Sequence, residues 1–326
     1  MCGFALAGMV TVTAPGTAGT DSSRAQSAPG GSEVLDPCLP GAARVTDPDA
    51  AARPLGGSEV TPHQAALYEK QLQEALVPLR GQELQPPHTV PVVVHVISAE
   101  DGRGEVSDER VQRQLDVLNA AYSGDSAGDP AQAADAARRA GGGAEPTDTG
   151  FRFELSEITR TANDEWFTSF AEHRDTVHAE LRQGDAKTLN IYTSNLGTGL
   201  LGYSSFPQDY EEAPEQDGVV LSHDTLPGGD RDRFNLGHTG THEVGHWLGL
   251  FHTFQNGCSS PGDYVDDTPH EREAASGCPE GRDTCPDQKG EDPVTNFMNY
   301  SDDACMTHFT AGQAERMVEH WAAFRA

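Results

Sequence analysis

The chain has 326 residues, 36% of them hydrophobic, which is enough to bury a full core. Its 51 Asp and Glu against 22 Lys and Arg give a net charge of −29, which repels nucleic-acid phosphates and anionic lipid headgroups. Nucleic acid is therefore not an expected partner. No apolar run reaches the length of a membrane-spanning helix, so membrane insertion is not expected either.

The first 85 residues differ in composition from the rest of the chain. Residues 1–30 resemble a signal sequence in their small and apolar side chains, although the usual basic start is missing. Residues 31–85 resemble a propeptide, with a Gly, Ser, Pro and Asp-rich leader followed by a helix from about Pro62 to Leu79. We therefore expect a secreted protein with a flexible or partly ordered leader.

Residues 86–326 are expected to form the main folded domain. Apolar runs predict strands at 89–97, 151–158, 188–194 and 217–222, and a helix with Ser107 as its N-cap follows the first strand. A low-apolar stretch at 124–148 is expected on the surface, and a last helix runs from Thr310 to Phe324. The order of elements indicates an α/β (α+β) fold with a twisted, mainly parallel sheet.

The stretch HTGTHEVGHWLGLFH holds four of the 13 histidines. Residues four apart share one face of a helix, so His242 and His246 can approach one ion. Gly249 can take the left-handed conformation that ends a helix, which allows His252 to become a third ligand. Three imidazoles leave the fourth tetrahedral position for water, as a catalytic Zn²⁺ requires, and Glu243 is placed to act as the general base.

Two other interpretations of this stretch remain. The histidines could pack or face solvent, or the zinc could be purely structural, although structural sites close the fourth position with another side chain. His238 lies four residues before His242 and is expected to be a cap or surface residue rather than a ligand.

The motif HEVGHWLGLFH, together with NFMNY, TGLLGYSSFP and GDYVDDTP, resembles the pappalysin family of metzincin zinc endopeptidases. The resemblance covers most of residues 86–326. It implies two long helices with the sheet above the active site, and below it an irregular disulfide-bonded C-terminal half with a methionine turn and a closing helix. It also implies a secreted endopeptidase, made as a proenzyme, that cuts proteins or peptides through a zinc-bound water activated by Glu243.

The resemblance assigns further roles. Met298 would form the methionine turn, and Tyr300 would hydrogen-bond the oxyanion of the transition state. A Ca²⁺ ion would stabilise the loop after the zinc motif. Its ligands would be Asp263, Val265 through its carbonyl, Asp266 and Thr268.

Six cysteines indicate an oxidising compartment. The last four contain no C-x-x-C pair, so two disulfides are favoured over a second zinc site, and three pairings are open. The family resemblance implies Cys258–Cys285 and Cys278–Cys305. Cys38 could hold the proenzyme latent by ligating the zinc, or it could pair with Cys2.

The stretch SDDAC after the methionine turn is expected to line the pocket for the residue after the scissile bond. Asp302 or Asp303 there would favour Arg or Lys in a substrate. Alternation along an extended segment favours Asp302, whereas Ala304 stands where the family has its acid, which leaves a medium apolar residue as the alternative.

The hypothesis is therefore a zinc metalloendopeptidase. The alternative is a catalytically silent binding module on the same fold, which is disfavoured because Glu243 is present.

Overall fold

The computed structural model describes residues 43–46, 60–87, 89–125 and 146–326. Cys2 and Cys38 lie outside the described residues, as does most of the stretch 124–148. Within the described part no helix is long and apolar enough to cross a membrane.

A six-stranded sheet forms the upper half of the molecule. Its strands, in chain order, are β1 (Ala43–Val45), β2 (Val90–Ser98), β3 (Phe153–Ala162), β4 (Leu189–Ser194), β5 (Leu200–Ser204) and β6 (Val219–Ser222). In space they run β1-β5-β6-β4-β2-β3. The pairs β3–β2, β2–β4 and β4–β6 are parallel, and the pairs β6–β5 and β5–β1 are antiparallel, so only β5 runs in the opposite direction. The expected mainly parallel sheet is confirmed.

Six helices accompany the sheet in the described residues. They are α1 (Pro62–Leu76), α2 (Asp108–Tyr122), α3 (Asp164–Thr168), α4 (Phe170–Leu181), α5 (His238–Trp247) and α6 (Ala311–His320). Ser107 caps α2 by accepting from the backbone N–H of Arg110, as its sequence predicts. Thr310 and Gln313 form a capping box at the start of α6.

Four elements were not predicted from the sequence. Strand β5 and helices α3 and α4 fall in stretches with weak apolar periodicity. Strand β1 lies inside the leader, where Ala43 and Arg44 are fully buried and Val45 is nearly so. The leader is therefore ordered at these three residues, because the edge of β5 offers free backbone groups with which a sixth strand pairs.

The C-terminal half has little regular structure between α5 and α6. Disulfides Cys258–Cys285 and Cys278–Cys305 join its loops, in the pairing that the resemblance implied. At the end of the chain, the buried Arg325 guanidinium pairs with Asp217 and lies 3.6 Å from the centre of the Trp247 ring. This contact ties the chain end to α5, the helix that carries the histidines.

Candidate active site

Helix α5 passes through the interior of the molecule. Every residue from His238 to Trp247 is buried, and the helix follows Gly237, which has a φ of 95°. His238 is the first residue of α5 and only 4% exposed, packed against the Phe297 ring. The expectation of a surface position for His238 is therefore wrong, because its helix enters the core at its first turn.

The three motif histidines converge on one point. The Nε2 atoms of His242, His246 and His252 lie 3.1 Å from one another in every pair. The other ring nitrogen of His242 donates to the Phe297 carbonyl, and that of His246 donates to the Leu250 carbonyl, each at 2.7 Å. These donations leave Nε2 of both rings as lone-pair donors for a metal.

This arrangement fits a zinc ion. With Zn–N bonds of about 2.0–2.1 Å, two ligand atoms of a tetrahedral site lie about 3.3 Å apart, close to the 3.1 Å separations observed. Burial lowers the pKa of His242 and His252 well below the ordinary value, which keeps both imidazoles in the neutral form that binds metal. The chain turns toward His252 at Gly249, whose φ of 95° is the left-handed conformation expected.

Met298 packs against helix α5 at Gly245. It is fully buried, and its Sδ atom lies 2.4 Å from where a Cβ at Gly245 would stand. Its carbonyl accepts from the backbone N–H of Thr253, just after the third histidine. The methionine turn thus contacts both the helix and the loop that carry the imidazoles, and Gly245 is needed for that approach.

Glu243 is buried beside the histidines. Neither of its carboxylate oxygens has a hydrogen-bond partner among the described residues. Burial raises the pKa of Glu243 well above its ordinary value, an effect that the nearby charge of Arg44 partly offsets. A desolvated carboxyl group with free oxygens is suited to accept and return a proton.

Tyr300 is close to the metal ligands. Its ring centroid lies 4.8 Å from that of His252 and 5.8 Å from that of His242. Its hydroxyl donates to the carbonyl oxygen of Ala43 at 2.5 Å. The Tyr300 hydroxyl, which the resemblance predicts to bind the oxyanion, thus binds a backbone carbonyl oxygen in this structure.

The side chain of Asp303, and not that of Asp302, contacts strand β1. The Asp303 carboxylate accepts from Arg44 Nη1 at 3.0 Å, and neither side chain is exposed. Asp302 instead pairs with Arg233 at the surface. The preference for Asp302 assumed an extended segment, whereas Asp303–Cys305 forms a 3₁₀ turn, which changes the direction of successive side chains.

The proposed calcium ligands are only partly assembled. Asp263 is buried, one of its oxygens accepts from the backbone N–H of Val265, and the other has no partner within the described residues. The buried hydroxyl of Thr268 is likewise without a partner in the described part of the chain. Burial raises the pKa of Asp263 to about 8. Asp266 is exposed.

Sequence reasoning missed a buried network below the site. Glu271 accepts from Thr253 and from Asn299, each at 2.8 Å, and pairs with Arg282. It therefore links the loop after the third histidine to the methionine turn. No spacing pattern could have revealed it, since its partners lie up to 28 residues away.

Comparisons with known proteins agree with this geometry. The family model described as "Pregnancy-associated plasma protein-A" matches residues 173–322. An extracellular metalloprotease of Colletotrichum graminicola is 44% identical over 74% of this chain and 79% of its own. One from Pyricularia oryzae is 41% identical over 73% and 76%.

Two solved structures are similar. Mature mirolysin of Tannerella forsythia, in complex with a cleaved peptide, has a TM-score of 0.61 at 32% identity, covering 72% of this chain and 91% of mirolysin. A promirolysin mutant from the same organism has a TM-score of 0.67 at 29% identity, covering 82% of this chain and 93% of promirolysin.

Proposed function

The chain belongs to the pappalysin family of metzincins and is an extracellular zinc metalloendopeptidase, and from this premise we propose how its own residues carry out the reaction. The observation that carries the proposal is the convergence of three imidazoles beside one buried, unpartnered glutamate. A catalytically silent binding module is not favoured, since peptide binding alone does not require a buried glutamate without hydrogen-bond partners beside the metal ligands.

His242, His246 and His252 would hold the zinc. When bound, zinc supplies a Lewis acid that makes water more acidic and the scissile carbonyl more electrophilic. Glu243 accepts a proton from the attacking water and delivers it to the leaving nitrogen. Its burial supports the second step, because a carboxyl group with a raised pKa holds the proton until the amine takes it.

Tyr300 stabilises the oxyanion. The hydroxyl already donates to a backbone carbonyl at 2.5 Å, and this bond strengthens as negative charge develops on that oxygen. The Met298 turn positions Tyr300, because the two residues lie in the same short segment beneath the histidines.

The pocket for the residue after the scissile bond accepts arginine. Asp303 supplies the countercharge, and Thr239, the Ser301 carbonyl and the face of Phe234 complete the guanidinium contacts. Asp303 is held in place because its second oxygen accepts from the backbone N–H groups of Leu236 and His238. A buried carboxylate favours Arg over Lys, because the guanidinium fork donates several bonds at once.

A calcium site in the loop Asp263–Thr268 is also proposed. Its support is that a buried carboxylate oxygen and a buried hydroxyl both lack partners among the described residues, which a hard cation would satisfy. Asp266 and the Val265 carbonyl would complete the oxygen ligands.

We further propose that the protein is made as a zymogen with a signal sequence at residues 1–30, a propeptide in the stretch 31–85 and a catalytic domain from 86 to 326. Promirolysin covers 82% of this chain, whereas mature mirolysin covers 72%. This difference supports a precursor-like arrangement. Cys38, which could hold the proenzyme latent by ligating the zinc, lies outside the described residues.

The test of the mechanism compares Glu243→Gln with His252→Ala. We expect Glu243→Gln to keep one zinc per chain while turnover of casein falls about a hundredfold or more. His252→Ala should lose the zinc together with the activity. A fully active Glu243→Gln enzyme, or stoichiometric zinc in His252→Ala, would contradict the proposal.

A further inference from the structure

Glu271 is a fully buried carboxylate in the C-terminal half that takes no part in the reaction steps described above. One of its oxygens, Oε2, accepts from Thr253 Oγ1 and from Asn299 Nδ2, each at 2.8 Å. The other oxygen, Oε1, accepts from the guanidinium of Arg282. Glu271 lies outside the helices and strands, so these three hydrogen bonds determine where its carboxylate lies.

The two residues that donate to Oε2 are the chain neighbours of two residues of the active site. Thr253 follows His252, and Asn299 precedes Tyr300. Asn299 passes the contact on, because its Oδ1 accepts from the backbone N–H of Tyr300 at 2.8 Å. A single oxygen of Glu271 therefore joins the segment that carries the third imidazole to the segment that carries the tyrosine hydroxyl.

The rings of the same two segments also pack together. The Phe254 ring stacks on His252 with 4.7 Å between centroids, and it meets the ring of Tyr300 edge-on at 5.0 Å. A movement of one segment against the other would therefore change the distance between the Tyr300 hydroxyl and the three imidazoles. Stabilisation of an oxyanion depends on that distance, because a hydrogen bond to a developing charge requires a donor that is already in place.

Arg282 holds Glu271 and also a second buried carboxylate. Its Nη1 donates to Asp292 Oδ2 at 2.7 Å, and Asp292 Oδ1 accepts from the backbone N–H of Thr284 at 3.0 Å. Among the hydrogen bonds of the described residues, Asp292 makes none to either partner of Oε2. The two carboxylates thus share one guanidinium and equal burial, and only that of Glu271 is linked to the active site.

We propose that Glu271 is a positioning residue, which sets the distance between the Tyr300 hydroxyl and the three imidazoles by tying Thr253 to Asn299. It acts through Tyr300 and does not touch the substrate. Its loss should therefore slow the reaction and leave substrate binding and zinc binding nearly unchanged. The inference rests on the proposed function and adds to it the residue that holds the oxyanion donor in place.

The first experiment compares Glu271→Gln with Asp292→Asn. A glutamine has one acceptor oxygen, so it cannot accept from Arg282 and from the Thr253–Asn299 pair at once. We expect Glu271→Gln to lower kcat about tenfold, with KM within about twofold of the wild type and with one zinc per chain. Asp292→Asn also removes a charge beside Arg282 but leaves both bonds to Oε2, so its kcat should stay within about twofold of the wild type.

The assays run well above pH 7, because burial raises the pKa of Glu271 to about 7 and the ionised carboxylate accepts all three bonds. Urea unfolding of both variants shows whether they lose similar stability. An equal loss of kcat in the two variants, or loss of zinc from Glu271→Gln, would overturn the proposal.

A double variant with Tyr300→Phe tests whether Glu271 acts through the tyrosine hydroxyl. If it does, adding Glu271→Gln to Tyr300→Phe should lower kcat no further, because the hydroxyl that it positions is already gone. A further drop of about tenfold would refute this inference alone. If Tyr300→Phe by itself keeps the full kcat, the oxyanion role in the proposed function fails, and the role of Glu271 fails with it.

Thr253→Val decides the matter should Glu271→Gln not fold, because it keeps the shape of the side chain and the pair between Glu271 and Arg282. It should lower kcat about threefold or more at constant KM, and an unchanged kcat would contradict the proposal. Hydrogen exchange of zinc-free protein gives a readout without turnover. The Tyr300 amide should exchange faster in Thr253→Val and in Glu271→Gln than in Asp292→Asn, and equal rates in all three would also contradict it.

Discussion

At the scale of single residues, a substitution at Tyr300 can separate the effect on substrate binding from the effect on catalysis. Its hydroxyl meets a carbonyl oxygen, and its ring packs between the third histidine and Phe254. The ring contacts survive loss of the hydroxyl, so a Phe substitution should remove the hydrogen bond alone.

We therefore expect Tyr300→Phe to lower kcat by roughly 10²-fold while KM stays nearly constant, since the lost bond acts mainly in the transition state. Steady-state kinetics on a peptide with Arg after the scissile bond measure both constants. An increase in KM at constant kcat would instead show that Tyr300 only binds substrate.

At the scale of elements, the contact between α5 and the methionine turn depends on Gly245. A methyl group there would meet Met298 Sδ at 2.4 Å, and Met298 is fully enclosed by the core. At Gly199, by contrast, an added Cβ meets nothing within 4 Å.

Gly245→Ala should therefore destabilise the fold by about 1–3 kcal/mol, as overpacking does, and weaken zinc retention. Gly199→Ala should be close to neutral. Urea unfolding and zinc competition with a chelator measure the two effects. If both glycine substitutions give the same stability, the close approach of α5 to the turn is not a constraint.

The loop Asp263–Thr268 gives a second prediction at this scale. A calcium ion bound only by the folded loop stabilises it by mass action, by about 2.7 kcal/mol when the ion is at 100 times its Kd. Calcium-selective chelation should thus lower the Tm of the wild type by several degrees. It should have no effect on Asp263→Ala, whereas the exposed-site variant Asp287→Ala should respond like the wild type. An unchanged wild-type Tm would rule out the site.

At the scale of the whole molecule, buried histidines make stability depend on pH. His178 in α4 is 2% exposed and stacks on Tyr192 of β4 at 4.3 Å between ring centroids. Burial, reinforced by the charge of Arg174, lowers the pKa of His178 from 6.5 to about 3. The folded state therefore holds the neutral ring under conditions in which the unfolded chain binds a proton.

Because the folded pKa lies below the unfolded one, stability is complete above pH 6.5 and is lost as the pH falls toward 3. The slope should approach 1.4 kcal/mol per pH unit, a rough value from linkage. His178→Phe keeps the stacked ring and should flatten this part of the profile, while His173→Phe on the same helix should not. Denaturant unfolding at several pH values gives both slopes, and identical profiles for the two variants would contradict the assignment.

The sequence by itself determined the features that depend on local geometry. Two histidines four residues apart must share a helix face, and Gly249 allows the turn that brings His252 to them, so the convergence of the three imidazoles was predicted correctly. The β-branched run of β2 and the Ser107 cap were likewise predicted, because a strand or a cap depends on neighbours within a few residues.

Only the tertiary structure decided what enters the cleft. Ala43 and Tyr300 are 257 residues apart, and a three-residue strand has too few positions to show a period. Strand β1 is buried because it pairs with the edge of β5 and because Arg44 pairs with Asp303. The Asp303 side chain points toward β1 only because Asp303–Cys305 forms a 3₁₀ turn. Pairing between such distant segments is set by the shape of the assembled site, which no local pattern in either segment encodes.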